Sequence, residues 1–344
     1  MASEAPPFWW DRPDWRSALL WPLSATYGLV AARRLQNGRR EATGVPVLCV
    51  GNPTVGGSGK TPLAIALAAE ARRIGLTPGF LSRGHGGTLG KPHIVDPHHD
   101  SAKSTGDEPL LLAREALTVV SPNRAAAAKL LIEEGCDFLI MDDGFQSARI
   151  RYDYGLLVVD AARGLGNGRI IPGGPVRAPL VDQLRHADAV IRMGRGDGAD
   201  RFVRLASRAG RPIYDAVAVP RQGSGVEGRD LLAFAGIGDP AKFFRTVEEA
   251  GGRVVARKSF GDHHHYTDEN LSDLLEQADK AGVDMVTTAK DAVRIRPGSE
   301  LSRRFLARLN VVEIDVRFDQ PEIPGTIVSE TLRAFDAAAV SGAS

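Results

Sequence analysis

The segment Thr54-Val55-Gly56-Gly57-Ser58-Gly59-Lys60-Thr61 limits what this chain can fold into more than any other stretch. It follows the apolar run Val45-Pro46-Val47-Leu48-Cys49-Val50 and precedes Pro62-Leu63-Ala64-Ile65-Ala66-Leu67-Ala68, which reads as strand, glycine-rich loop and helix. Small residues let backbone N–H groups converge on phosphate oxygens. Lys60 adds a point charge for the β- and γ-phosphates, and the Thr61 hydroxyl suits Mg2+. The helix N-terminus contributes a partial positive charge of its own. The first position of the G-x-x-x-x-G-K-[ST] pattern is Thr54 rather than glycine, but the strand–loop–helix context still marks residues 54–61 as a nucleotide phosphate site. A turn that bound nothing would leave Lys60 without a task.

Strand and helix signals alternate beyond the loop. Gly79–Ser82, Leu117–Val120, Asp137–Met141, Gly155–Val159 and Ala187–Ile191 read as strands, and Arg124–Glu134 as a helix. Near-continuous apolar runs belong to strands covered on both faces, hence to a mostly parallel sheet between helices. Glycine- and charge-rich patches at 194–200 and 221–229 interrupt the pattern, which then restarts. Leu231–Ala235, Arg253–Ser259 and Asp284–Thr288 read as strands, with helices over Pro240–Ala250, N-capped by Asp239, and Asp268–Ala281. The expected fold is α/β, with a P-loop NTPase-like α/β/α domain over residues 41–220 and a second, smaller α/β domain over 221–344. A chain of 344 residues accommodates two such domains. Formal net charge is +1, so the molecule as a whole is no nucleic-acid polycation. Cys49 and Cys136 lie in apolar runs and read as reduced core residues of a cytosolic protein. No Cys/His spacing resembles a zinc site.

Residues 1–40 differ in character. Trp9, Trp10, Trp15 and Trp21 are the only tryptophans of the chain. The uncharged stretch Ser17–Ala32 follows, with Arg16 before it and Arg33, Arg34, Arg39 and Arg40 after it. It is shorter than the roughly 20 residues of a membrane span and lacks the cleavage signature of a signal peptide. Tryptophan favours the headgroup layer and arginine favours anionic lipid. Two readings stand: an interfacial helix lying on the cytoplasmic leaflet, and an ordinary helix docked on the core.

Asp142-Asp143 close the strand that ends at Met141, which is where a Walker-B acid sits to hold Mg2+. A helix N-cap pair is the plainer alternative. Asp107-Glu108 open a leucine-rich helix, where acids suit the dipole without any catalytic role. In Asp262-His263-His264-His265-Tyr266, adjacent histidines point in different directions, so a single His beside an Asp is better suited to proton transfer than the run is to a metal. A solvated loop accounts for the run equally well. Arg83, Arg124 and Arg177 sit beside Gly or Pro turns, where arginines meet anions or simply face solvent.

Jointly, these motifs resemble the tetraacyldisaccharide 4'-kinase family. The matching segments are Gly51–Pro62, Ser82–Gly87, Gly106–Pro109, Asp142–Gln146, Gly166–Arg169 running into Pro172–Arg177, Phe234–Gly238, Asp262-His263 and Thr287–Asp291, in family order over about residues 8–295. The resemblance implies phosphoryl transfer from MgATP to the 4'-hydroxyl of a tetraacyldisaccharide 1-phosphate, giving the 1,4'-bisphosphate of lipid A biosynthesis. It also implies two P-loop-like domains and peripheral attachment to the cytoplasmic face of the bacterial inner membrane. Neither a nucleic-acid nor a protein partner is implied. The loop residues 54–61 would hold ATP, while Thr61, Asp142, Asp143 and Glu108 would face Mg2+. Lys60, Asp107 and His263 would be catalytic, the last two as a base dyad contributed by the two domains and expected to meet only when these close. Arg83, Arg124 and Arg177 would face substrate. Four positions depart from the family pattern: His85, Ser147, Ala178 and Ala289.

Two other classes share the fold signals. A P-loop switch or partitioning ATPase would act on protein partners and hydrolyse ATP without a lipid acceptor. A soluble small-molecule kinase would need neither detergent nor vesicles. A GTPase is disfavoured, because Thr288-Ala289-Lys290-Asp291 places Lys directly before Asp.

Overall fold

A computed structural model describes residues 5–84, 86–147, 149–296 and 298–342. His85 lies outside the described residues. The strands are β1 (Val47–Gly51), β2 (Pro78–Ser82), β3 (His93–Ile94), β4 (Leu117–Val120), β5 (Phe138–Asp142), β6 (Tyr154–Asp160), β7 (Ala189–Met193), β8 (Ile213–Pro220), β9 (Asp230–Ala235), β10 (Arg253–Ser259), β11 (Asp284–Thr288), β12 (Leu309–Val312) and β13 (Ile314–Phe318).

Nine of them form one sheet in the order β13-β8-β7-β6-β1-β5-β2-β4-β3, parallel except for the edge strands β13 and β3. The strands β1, β2 and β5 are buried along their whole length, as their unbroken apolar sequence demands. One face packs on the helix Lys60–Arg73 through Leu63 and Leu67, and the other on the helix Arg124–Glu133 through Ala127 and Leu131. Four strands make a second, fully parallel sheet in the order β10-β9-β11-β12. Phe234 centres its core, edge-on to Phe260, Tyr266 and Phe305. The chain is thus α/β, with a large mostly parallel sheet between helices and a smaller sheet beside it.

The end of the chain departs from the expected extent of the smaller unit. Residues beyond β12 leave it, because β13 pairs antiparallel with β8 in the large sheet. The helix Ile323–Gly342 then packs Ile323, Ile327 and Val328 into the core under the helix Lys60–Arg73. Apolar periodicity shows that such a helix is amphipathic but carries no information about which sheet it covers.

The N-terminal helix Trp21–Asn37 is docked along one side. Ser24 Oγ accepts the Gly173 N–H at 3.0 Å, Gly28 faces Ile170, and Gln36 Nε2 donates to Asp182 at 2.7 Å. Its other side and the preceding helix leave Trp15, Leu19, Trp21, Leu23 and Val30 at least 60% exposed. The docked side agrees with the reading of a helix packed on the core. Among the described residues, no helix is long and apolar enough to cross a membrane.

At the carboxyl end of β1 the packing leaves no room for a side chain. A Cβ on Gly51 would lie 2.3 Å from the Cβ of fully buried Phe145. Gly51→Ala is expected to lower stability by about 1–3 kcal/mol through overpacking, read as a lower urea midpoint. An unchanged midpoint would show that the turn carrying Phe145 yields freely.

Candidate active site

Sheet register fixes the first half of the site. Val50 of β1 lies opposite Asp142 of β5, so the acid stands beside the origin of the glycine loop. The loop is tied down at both ends. Val55 N–H donates to Pro175 O at 2.9 Å, and Asn52 Nδ2 donates to Gly56 O at 3.2 Å. Gly56 and Gly59 take φ of +103° and +86°, conformations that favour glycine. Gly59 caps the helix that begins at Lys60, so the loop's N–H groups and the helix N-terminus share one concavity. Trp10 and Arg163 flank it, the guanidinium 5.2 Å above the indole.

Thr61 Oγ1 donates to Asp142 Oδ2 at 3.1 Å, and both residues are buried. Among the described residues, Asp142 Oδ1 and Ser58 Oγ are buried without a hydrogen-bond partner. Burial, helped by the nearby charge of Glu108, pushes the Asp142 carboxyl up to about 7, although Lys60 opposes this. Asp143 behaves differently. Its backbone is left-handed, with φ of 51°, and Arg177 holds both carboxylate oxygens at 2.5 and 3.1 Å. Lys60 Nζ lies 3.9 Å away. Burial would raise the Asp143 carboxyl, but the charges of Lys60 and Arg177 hold it well below the usual range. Arg124, itself buried, donates to Asp143 O at 2.9 Å.

The second half comes from the other sheet. Asp107, at the start of the helix Asp107–Ala113, is buried, and its Oδ2 lies 3.2 Å from His263 Nδ1. The two residues are thus already in contact, which corrects the expectation that they meet only on closure. The physical reason is two ion pairs that cross between the sheets. Arg294 donates to Asp107 Oδ2, and Lys290 Nζ lies 2.6 Å from Glu108 Oε1. Burial raises the Asp107 carboxyl, but the His263 hydrogen bond and the Arg294 charge outweigh it and hold the group far below the usual range. The Asp107 hydrogen bond raises the His263 imidazole. The Lys290 ammonium lowers the Glu108 carboxyl.

Of the residues singled out in the sequence, Lys60, Thr61, Asp142, Asp143, Arg124 and Arg177 converge at the loop, and Asp107 and Glu108 meet His263 and Lys290 beside it. Arg83 stays exposed after β2. Two of the four expected Mg2+ residues are otherwise engaged: Asp143 by Arg177, Glu108 by Lys290. Ala178 is fully buried and offers only its carbonyl, to Gln183 Nε2. Lys290, Asp291 and Arg294 were missed as site residues. The run Thr287–Asp291 was visible as a motif, but nothing in its spacing points to Asp107 more than 180 positions earlier in the chain.

Asp142 generates a prediction with a definite sign. Its carboxyl titrates near 7 in the folded chain, against an ordinary value of 3.8. Between about pH 4 and pH 7 the unfolded chain has lost this proton while the folded chain keeps it, so folding loses stability as pH rises through that window. Asp142→Asn escapes the loss. In EDTA without nucleotide, the variant is expected to melt above the wild type at pH 7.5, with the gap closing toward pH 4. A variant that melts lower at pH 7.5 would contradict this.

Comparison with known proteins agrees with this geometry. The family model for tetraacyldisaccharide-1-P 4'-kinase matches residues 16–332. A tetraacyldisaccharide 4'-kinase of Mesorhizobium japonicum is 59% identical over 336 residues, covering 97% of this chain and 98% of that protein. The one of Rhizobium meliloti is 52% identical over 332 residues, covering 96% of each. LpxK of Aquifex aeolicus, whose crystal structure holds ATP, superposes with a TM-score of 0.71 at 23% identity over 92% of this chain and 99% of that one, a likeness of fold. With the family matched along nearly its whole length, this chain belongs to the tetraacyldisaccharide-1-P 4'-kinases.

Proposed function

We propose that the site transfers the γ-phosphoryl group of MgATP to the 4'-hydroxyl of a tetraacyldisaccharide 1-phosphate at the cytoplasmic surface of the inner membrane. The observation that carries this reading is the convergence of a phosphate loop, a buried acid and an Asp–His pair at one place. The loop N–H groups of residues 54–61 and Lys60 cradle the phosphates. A Mg2+ ion fits the Thr61–Asp142 pair, because the buried Asp142 Oδ1 lacks a protein partner. Among the described residues, no group of three or more His, Cys, Asp or Glu side chains could hold a metal unaided. That is consistent with an ion that draws its remaining ligands from phosphates and water. When bound, the ion neutralises charge on the β- and γ-oxygens.

The sugar oxygen forms a bond to the γ-phosphorus as the bond from that phosphorus to the bridging oxygen of ADP breaks. The hydroxyl proton must leave, and the Asp107–His263 pair supplies an acceptor. Arg124 holds the backbone turn that presents Asp142-Asp143 through Asp143 O, and Arg177 keeps Asp143 ionised near Lys60. Arg83, exposed just past β2, is suited to an anionic acceptor, whereas Arg124 is buried and held on Asp143 O. The division of labour between the larger and the smaller sheet follows from this: the first carries nucleotide, the second brings His263 to the acceptor.

Lys60→Ala is expected to lower kcat by about 100-fold or more, through lost transition-state electrostatics. The assay is labelled ATP with the disaccharide lipid, with the product identified by mass. Near-normal turnover would remove the P-loop reading, and ATP hydrolysis without acceptor would favour a switch.

The exposed face of Trp15, Leu19, Trp21, Leu23 and Val30, followed by Arg33, Arg34 and Arg39, fits an anionic bilayer surface. Full-length protein is expected to float with phosphatidylglycerol-containing vesicles, less so at high salt. The triple variant Trp15→Ser/Leu19→Ser/Trp21→Ser should stay behind while keeping its melting temperature, because these side chains do not pack on the core. Equal flotation of both would place the anchor elsewhere. Point variants are needed here, because truncation would also remove Trp10 from the wall of the nucleotide loop.

A further inference from the structure

Arg294 is a deeply buried charge between the two sheets, with its side chain only 2% exposed. It lies just past the short helix Ala289–Ala292. One end of its guanidinium is fixed on the smaller sheet's side: Nη1 donates to Gly236 O at 2.7 Å and to Asp291 Oδ1 at 2.9 Å. Asp291 is held in turn, accepting from Gly236 N–H at 3.0 Å, Tyr266 Oη at 2.8 Å and Thr288 Oγ1 at 2.6 Å. The other end reaches across. Nη2 donates to Asp107 Oδ2, the same oxygen that meets His263, and lies 3.5 Å from His263 Nδ1.

We propose that Arg294 is the positioning residue of the proposed phosphoryl-transfer site, a strut mounted on Asp291 that holds Asp107 and His263 in one geometry although they come from different sheets. This rests on the reading of Asp107–His263 as the proton acceptor. A planar fork suits the task. Its two donor groups point in fixed, divergent directions, so one guanidinium can satisfy two buried carboxylates at once, whereas an ammonium cannot reach both in a fixed orientation. His263 needs such support, because it sits in a left-handed backbone position with φ of 57° on a loop. A misplacement of about 1 Å in a catalytic group is enough to cost about 100-fold in rate. The strut acts through the pair, since Nη1 and Nη2 both donate within the protein.

The test is steady-state kinetics with ATP and the disaccharide lipid for wild type, Arg294→Gln, Arg294→Lys, Asp107→Asn and Asp107→Asn/Arg294→Gln, with melting curves to establish folding and single-turnover assays for the slow variants. Arg294→Gln should lower kcat about 10- to 100-fold and leave KM for ATP within about 2-fold. Arg294→Lys, keeping the charge but losing the fork, should fall between it and wild type. In the Asp107→Asn background, Arg294→Gln should cost little more, because a positioning residue has nothing left to position. Equal fold-losses in both backgrounds, or a loss confined to KM, would overturn the proposal. If Arg294→Gln does not fold, Arg294→Lys decides: wild-type kcat in that variant would overturn it. Near-normal kcat in Asp107→Asn would instead overturn the underlying acid–base reading, a separate outcome.

Discussion

The pairing of β1 with β5 is the contact on which the rest of the site depends. Placing Val50 opposite Asp142 fixes the distance between the strand that launches the phosphate loop and the strand that ends in the acid. Parallel neighbours deliver their carboxyl ends to the same edge, so one backbone register brings Thr61 within a hydrogen bond of Asp142. A slip of one residue would turn Asp142 to the other face of the sheet. The side chains that lock this register are ordinary core residues: Leu48, Cys49 and Val50 on one strand, Ile140 and Met141 on the other, all fully buried.

Charge is concentrated where the two sheets face each other, and it is arranged in compensated units. Arg177 serves Asp143, Lys290 serves Glu108, and Arg294 serves both Asp107 and Asp291. Of these, only the Arg294 pairs are fully buried, and removing one partner of such a pair typically costs about 3–5 kcal/mol, because the other charge stays behind unpaired. Asp142 is the exception. Among the described residues it has no cation in direct contact, only Lys60 acting at a distance and one hydroxyl donor, and its carboxyl is correspondingly hard to ionise. A group that burial keeps near neutral pH is well suited to receive a cation that arrives with its substrate.

The sequence revealed the large sheet well because its strands are unbroken apolar runs and its loop is a motif whose mechanics depend on residues adjacent in sequence. The helices Arg124–Glu133, Pro240–Glu249 and Asp268–Ala281 were legible along the chain, and Asp239 does cap the second. Less legible was whatever depends on pairing between distant segments. β8 is half-buried along nearly its whole length and β13 is largely exposed, so neither carries the fully buried pattern of the central strands, and the return of the C-terminus to the large sheet stayed hidden. The site divides along the same line. Lys60, Thr61 and Asp142 announced themselves by local pattern. Arg294 is one arginine among many along the chain, and only the folded arrangement separates it from a surface residue.

The N-terminal helix has a temporal consequence. Its docking surface lies far downstream: Ser24 meets Gly173, 149 positions later in the chain. At roughly 5–20 residues per second of synthesis, the helix waits about 10–30 s before that surface leaves the ribosome. Throughout that interval both of its sides are uncovered, the one bound for Ile170 and Gly173 and the one carrying Trp15, Leu19 and Trp21. During the same interval the phosphate loop lacks Pro175 and Val176 to brace it, so the helix and the loop both wait on one downstream segment before either takes its final form.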